Sequence, residues 1–169
     1  MIKLAFAGKK GSGKTLLADY CTDVHMLEPL SFADPLKMDL VELGINPDRL
    51  FTTRDHNSRA LMQAYGEAMR DQDKDYWLNR LLDVMHDYED IAIEGVTIDD
   101  LRYPNEANAL RAKGFTLIKI IRDGFNHEQD DHPSENSLID YEFDHVLVAK
   151  NGDKEALYRM IDEIIEELE

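Results

Sequence analysis

The sequence predicts an α/β fold in which a parallel sheet is covered on both faces by helices. Three observations predict it. Short apolar runs alternate along the chain with segments of helical spacing, the pattern of repeated strand–helix units. Several of the runs are apolar throughout, as in strands buried on both faces. A glycine-rich segment stands between the first run and the first helix, where a sharp reversal is needed.

Each element has its own warrant. Residues 2–7 read as a short buried strand, and residues 14–25 as the helix after the glycine-rich turn. Residues 26–32 read as a second short strand. A helix follows from Pro35, because proline's fixed φ and missing N–H suit a first helical turn. Gly44, Asn46, Pro47 and Asp48 make residues 44–56 a loop. Residues 57–70 and 75–88 have helical spacing, with Tyr76 and Trp77 assigned to the core rather than to base stacking. Residues 91–98 are strand-like, interrupted by Glu94 and Gly95. Pro104 opens another helix and Gly114 closes it. Residues 115–121 form a further apolar run rich in β-branched side chains. Residues 123–143 are polar and irregular, and residues 146–148 are a last buried strand. In the final helix Leu157, Met160, Ile161, Ile164, Ile165 and Leu168 share one face. Asp162, Glu163, Glu166, Glu167 and Glu169 read as its solvated face. No repeat, linker or low-complexity stretch divides the 169 residues, so a single domain is expected.

Charge narrows the function. The formal net charge is −16. Such a chain is a poor binder of polymeric nucleic acid or of anionic membrane, both of which want a basic face. Cys21 is the single cysteine, which excludes an intrachain disulfide framework and a multi-cysteine zinc site. The first residues reach Lys9 and Lys10 before an apolar segment of signal-peptide length can form, and no stretch approaches a membrane span. A cytoplasmic, water-soluble protein is expected. A homodimer is the assembly left open.

Gly8-Lys9-Lys10-Gly11-Ser12-Gly13-Lys14-Thr15 matches G-x-x-x-x-G-K-[ST] in full, with a strand before it and a helix after it. The spelling follows from the chemistry. Glycines let the backbone curl so that several N–H groups point inward at phosphate oxygens. The helix N-terminus, opening towards Leu16, adds partial positive charge at the same point. Lys14 is placed to reach the β- and γ-phosphates, and the Thr15 hydroxyl to hold Mg²⁺. At physiological salt the Debye length is about 8 Å, so distant carboxylates weigh little against Lys9, Lys10 and Lys14 at contact distance.

A phosphate loop of this kind needs a carboxylate at the end of a neighbouring strand. Asp99 and Asp100, after the 91–98 run, both qualify. Arg102 and Arg122 sit just beyond the C-terminal ends of predicted strands, the edge where open α/β sheets bind ligands. They are the candidates to neutralise charge spread over a transferring phosphoryl group. Arg59 and Gln63 are i,i+4 neighbours with Arg70 further along the same helix, which suits a ligand carrying both a phosphate and a base; an exposed polar helix face is the alternative.

Further segments carry a resemblance. Ser31-Phe32-Ala33-Asp34-Pro35-Leu36-Lys37, Gln63-Ala64-Tyr65-Gly66, Asp100-Leu101-Arg102-Tyr103-Pro104-Asn105-Glu106-Ala107, His132-Pro133-Ser134-Glu135 and Asn151-Gly152 follow the phosphate loop in order. In this the chain resembles the bacteriophage-type deoxynucleoside monophosphate kinases, from residue 1 to about 155. That group lies within the P-loop nucleoside monophosphate kinase superfamily, and phosphomevalonate kinase is similar around the P-L-K and D-x-R segments. The resemblance implies a three-layer P-loop fold with a five-stranded parallel sheet. It implies ATP and Mg²⁺ as cofactors and γ-phosphate transfer to a deoxynucleoside monophosphate, giving ADP and the diphosphate. It makes Asp100 the metal-side carboxylate and Arg102 a phosphate contact. It gathers Asp34, Lys37, Arg59, Gln63, Arg70, Asn105 and Glu135 around the acceptor, in a helical region of about residues 33–90. Residues 123–143 become a lid, and Asn151 and Gly152 lie near the adenine. One departure stands out: residues 123–149 contain no Lys or Arg, so Lys9, Lys10 and Arg122 are left to cover the phosphates, or the lid chiefly excludes water. A kinase of another small phosphomonoester, of the phosphomevalonate or dephospho-coenzyme A type, and a nucleotide-switched ATP-binding module are the competing expectations.

Overall fold

The computed structural model describes residues 1–53, 56–89, 92–124 and 136–169. The chain forms two compact units, one of residues 1–30 and 92–169 and one of residues 31–91. The expected acceptor-binding stretch, about 33–90, falls within the second.

The first unit is a five-stranded sheet in the order β2-β3-β1-β4-β5, with every described pairing parallel. Its strands are β1 (Ile2–Ala7), β2 (Leu27–Leu30), β3 (Gly95–Ile98), β4 (Thr116–Asp123) and β5 (His145–Lys150). Helix α1 (Lys14–His25) follows β1, α5 (Pro104–Ala112) follows β3, and α6 (Lys154–Leu168) follows β5. This is the three-layer α/β arrangement that the sequence predicts.

Two strands are shorter than the expected segments, and each holds a residue that its place in the sheet explains. β3 opens at Gly95, where a Cβ would stand 2.2 Å from the Ile2 carbonyl oxygen, so only glycine admits the neighbouring backbone. β2 is an edge strand, and this is where Pro29, which cannot donate to a ladder, is tolerated.

One face of the sheet is closed by α1 and α6. Leu4, Phe6, Ile118 and Ile120 meet Leu17 and Cys21 of α1 and Leu157, Ile161 and Ile165 of α6 in one buried cluster. The α6 stripe stops before Leu168, which is 43 % exposed. Asp162 is not simply solvated. Its carboxylate accepts from the Tyr20 hydroxyl at 3.0 and 3.1 Å and lies 2.8 Å from His25 Nε2, tying α6 to α1. Tyr20 also stacks on Tyr158, with ring centroids 4.0 Å apart.

The second unit is helical: α2 (Ala33–Glu42), a π-helical turn (Arg49–Thr53), α3 (His56–Gln72) and α4 (Tyr76–Glu89). The π turn lies inside the expected 44–56 loop. Trp77 is only 1 % exposed, and its Nε1 donates to the Gly66 carbonyl at 3.0 Å, joining α4 to α3. Of the expected lid, residues 125–135 lie outside the described residues. Residues 136–144 are anchored: Arg111 of α5 donates to the Tyr141 hydroxyl at 2.9 Å and the Glu142 carbonyl at 2.8 Å, and Lys119 to the Ile139 carbonyl at 3.2 Å. Among the described residues no helix is long and apolar enough to cross a membrane.

Cys21 is fully buried. Its thiol is pushed up to about 12 from an ordinary 9.0, by burial first and by the Asp162 carboxylate second. A folded-state value above the unfolded one stabilises the fold below the unfolded value, and that contribution is lost as pH rises through the folded one. Urea unfolding should therefore show stability declining between pH 9.0 and about 12. In the native state Cys21 should resist iodoacetamide at about pH 8; fast alkylation without unfolding would contradict its burial.

Candidate active site

The sheet order puts the ends of four strands side by side. β1 lies between β3 and β4, so the loop after β1 sits where connections leave in opposite directions, the usual ligand crevice of an open parallel sheet. Asp99 follows β3, Gly8 follows β1, Arg122 is the next-to-last residue of β4 and Asn151 follows β5.

The loop depends on its glycines. Gly8, Gly11 and Gly13 have φ of 150°, 77° and 107°, values that L side chains rarely adopt. At Gly8 a Cβ would also stand 2.5 Å from the Ile120 carbonyl oxygen and 2.7 Å from Ser12 Oγ. The curl is closed by Ser12 N–H donating to the Lys9 carbonyl at 3.0 Å. Lys14 arches back over it, its Nζ donating to the carbonyls of Gly8 at 2.6 Å and Lys9 at 3.0 Å. Leu16, in the first turn of α1, is 40 % exposed.

The two aspartates after β3 now differ. Thr15 Oγ1 donates to Asp99 Oδ2 at 2.6 Å, linking the first turn of α1 to the β3 end across 84 residues of chain. A hydroxyl beside a carboxylate is a hard-oxygen pair, which fits a small divalent cation that keeps most of its waters. Asp100 is the next residue along the same β3 exit.

Arg122 lies inside β4, at its C-terminal end, rather than beyond it. Its Nη1 donates to the Gly11 carbonyl and its Nε to Asn151 Oδ1, both at 2.9 Å. One guanidinium thus joins the phosphate loop to the loop after β5. A cavity of about 420 Å³ opens between them, lined by residues 11–16, Arg122, Gly152, Lys154 and Leu157. Lys9 and Lys10 are exposed on the loop's outer turn.

Arg102 is held by its backbone. The N–H groups of Arg102 and Tyr103 both donate to Glu106 Oε2 at 3.1 Å, and the Ser137 hydroxyl donates to the Arg102 carbonyl. Glu106 is 2 % exposed, so this carboxylate fixes the β3–α5 corner from inside. Sequence reasoning gave Glu106 no role. Its signal was a glutamate at the third position of a helix opened by proline, which commonly reaches back to free N–H groups. Asn105 is half-buried in the first turn of α5, and Glu135 lies outside the described residues.

The remaining candidates are in the second unit. Lys37 is buried, its Nζ 2.7 Å from Asp34 Oδ1 and 5.1 Å from the Phe51 ring centroid. Arg59 and Gln63 are exposed on α3 and Arg70 is half-buried. The same unit holds a group that sequence reasoning missed, Asp39. Its carboxylate accepts from Arg80 at 2.7 Å, from the Tyr76 hydroxyl at 3.1 Å and from the Tyr65 hydroxyl at 3.5 Å. The phenols of Tyr65 and Tyr76 are raised above their ordinary value, by burial first and then by Asp39. For Arg80 burial acts downwards, but the bond to and charge of Asp39 outweigh it and leave the guanidinium raised.

Against known proteins, residues 46–161 match the family described as deoxynucleotide monophosphate kinase. The chain is 29 % identical, over 188 aligned residues, to a provisionally named deoxynucleotide monophosphate kinase of Acanthamoeba polyphaga mimivirus; the match covers 95 % of this chain and 94 % of that one. It is similar at 28 % and 27 % identity to the uncharacterized proteins ORF76 and ORF77 of Ictalurid herpesvirus 1 (strain Auburn), covering 91 % and 82 % of this chain. It spans 64 % and 59 % of those two proteins' own lengths.

Ser12 Oγ is buried within the loop and makes no hydrogen bond among the described residues. An unsatisfied buried hydroxyl costs stability, so Ser12→Ala should stabilise the ligand-free protein by about 1 kcal/mol in urea unfolding. A loss of stability would mean that the hydroxyl has a partner.

Proposed function

The chain belongs to the deoxynucleotide monophosphate kinase family, and from that premise we propose that it transfers the γ-phosphate of ATP to a deoxynucleoside monophosphate, giving ADP and the deoxynucleoside diphosphate. The observation that carries the reading is the contact of Thr15 with Asp99 beside a curled phosphate loop, whose residues 11–16 line a cavity reaching Gly152.

The donor's triphosphate lies along residues 8–15, its oxygens taken by inward backbone N–H groups and the α1 N-terminus. Lys14 exchanges the carbonyls of Gly8 and Lys9 for phosphate oxygens, which repay the ammonium with full negative charge. The adenosine end occupies the cavity between Leu16, Gly152 and Leu157, with Asn151 beside it in the loop after β5. Thr15, with Asp99 and Asp100, would hold Mg²⁺, which when bound neutralises charge on the triphosphate. Arg102 and Arg122, with Lys9 and Lys10, stabilise the spread charge of the moving phosphoryl group.

The acceptor falls to other residues. Lys37, Arg59 and Arg70 bind its phosphate, and Asp34, Gln63, Asn105 and Glu135 orient its sugar and base. The proposed setting is the cytoplasm, of an infected host if the chain is virus-encoded.

Incubation with MgATP and each of dAMP, dGMP, dCMP and dTMP should release ADP in proportion to at least one acceptor. Background ADP that ignores every acceptor would end the reading. Lys14→Ala should lower kcat by about a hundredfold, through loss of a charge that acts in the transition state; near-normal turnover in that variant would put the chemistry elsewhere.

A further inference from the structure

Asp39 sits on α2 with its side chain 10 % exposed, two residues after Lys37, and it is absent from the acceptor set above. Its partners come from both other helices: Tyr65 from α3, and Tyr76 and Arg80 from α4. Tyr65 in turn is two residues after Gln63. In a helix each residue turns the chain by about 100°, so fixing Asp39 and Tyr65 against each other fixes the directions in which Lys37 and Gln63 leave their helices.

A second tie runs through Gly66. Its carbonyl accepts from Trp77, and a Cβ there would stand 3.0 Å from Leu36 Cδ1 and 3.4 Å from Arg70 Nη1. Glycine at this turn lets α2 and the Arg70 guanidinium approach α3 closely. The segment Gln63-Ala64-Tyr65-Gly66 thus sets an exposed Gln63 just before Tyr65 and Gly66, which lock the three helices together.

The ion pair is a weak source of stability, because the Arg80 side chain is 43 % exposed and solvent screens its attraction for Asp39, and apolar packing could replace it. What apolar packing would not supply is a fixed rotational setting. We propose that Asp39 is a positioning residue for the acceptor: it holds the Lys37 side of α2 and the Gln63–Arg70 side of α3 in the one arrangement that binds a deoxynucleoside monophosphate. The inference rests on the kinase reading above.

Trp77 is the single tryptophan. Its ring lies 5.9 Å from that of Tyr65 and 4.7 Å from that of Tyr76, centroid to centroid, so its emission reports on this junction. The four deoxynucleoside monophosphates are titrated, without ATP, into wild type, Asp39→Asn and Tyr76→Phe, each held below its own melting midpoint. Wild type should give a saturable change. Asp39→Asn should raise the Kd by about tenfold and Tyr76→Phe, which keeps the carboxylate, by about threefold. In turnover the KM for the monophosphate should rise in step, while kcat and the KM for MgATP hold. Equal Kd values in wild type and the folded variants would make Asp39 merely structural and overturn the inference. If Asp39→Asn does not fold, Tyr76→Phe and Tyr65→Phe decide by the same comparison. A wild type that binds none of the four and releases no acceptor-dependent ADP would instead remove the kinase reading, and this inference with it.

Discussion

The first unit depends on one backbone constraint, the curl of residues 8–13. Phosphate oxygens are bound best by N–H groups that all point inward, and a chain of L residues reaches that shape only where φ can turn positive. Gly8, Gly11 and Gly13 supply those positions, and the fit at Gly8 is so close that any side chain would strike Ile120 or Ser12. The rest follows from holding this curl still. Strand β1 is buried from Leu4 onward, α1 begins at its far end, and the neighbouring strands pin it on both sides.

Those neighbours also bring the chemistry. Parallel strands that share one direction end on one edge, so residues far apart in sequence meet there. Asp99 reaches Thr15, and Arg122 reaches Gly11 and Asn151, each because its strand is adjacent in space to β1 or β5. The same edge explains how a chain of net charge −16 presents cations to an anion. In the proposed complex Lys9, Lys10, Lys14 and Arg122 would act at contact distance, where the far carboxylates are screened.

The second unit solves a different problem. Three helices carry long polar side chains, and their mutual rotation decides which of these side chains converge. A stripe of apolar contacts tolerates sliding, whereas a buried carboxylate with three directed donors does not. Asp39, with Tyr65, Tyr76 and Arg80, is such a point, and the Trp77–Gly66 bond is another.

The phosphate loop, the strand–helix alternation and the α6 stripe were legible in the sequence, because each is written in consecutive or regularly spaced residues and governed by local rules. The match of residues 46–161 to a kinase family rests on the same kind of information. Other features were not legible. Whether Asp99 or Asp100 meets Thr15, that Glu106 braces the Arg102 corner, that Asp162 faces Tyr20 and His25, and that Asp39 joins three helices are matters of partners 26 to 142 residues apart in three of those four cases. Nothing in a local pattern separates a carboxylate that faces water from one that faces a distant hydroxyl. The amino-acid order determined the elements and the loop that curls; the packing of those elements alone chose which polar groups were taken out of water together, because a buried charge is stable only where folding delivers its partner.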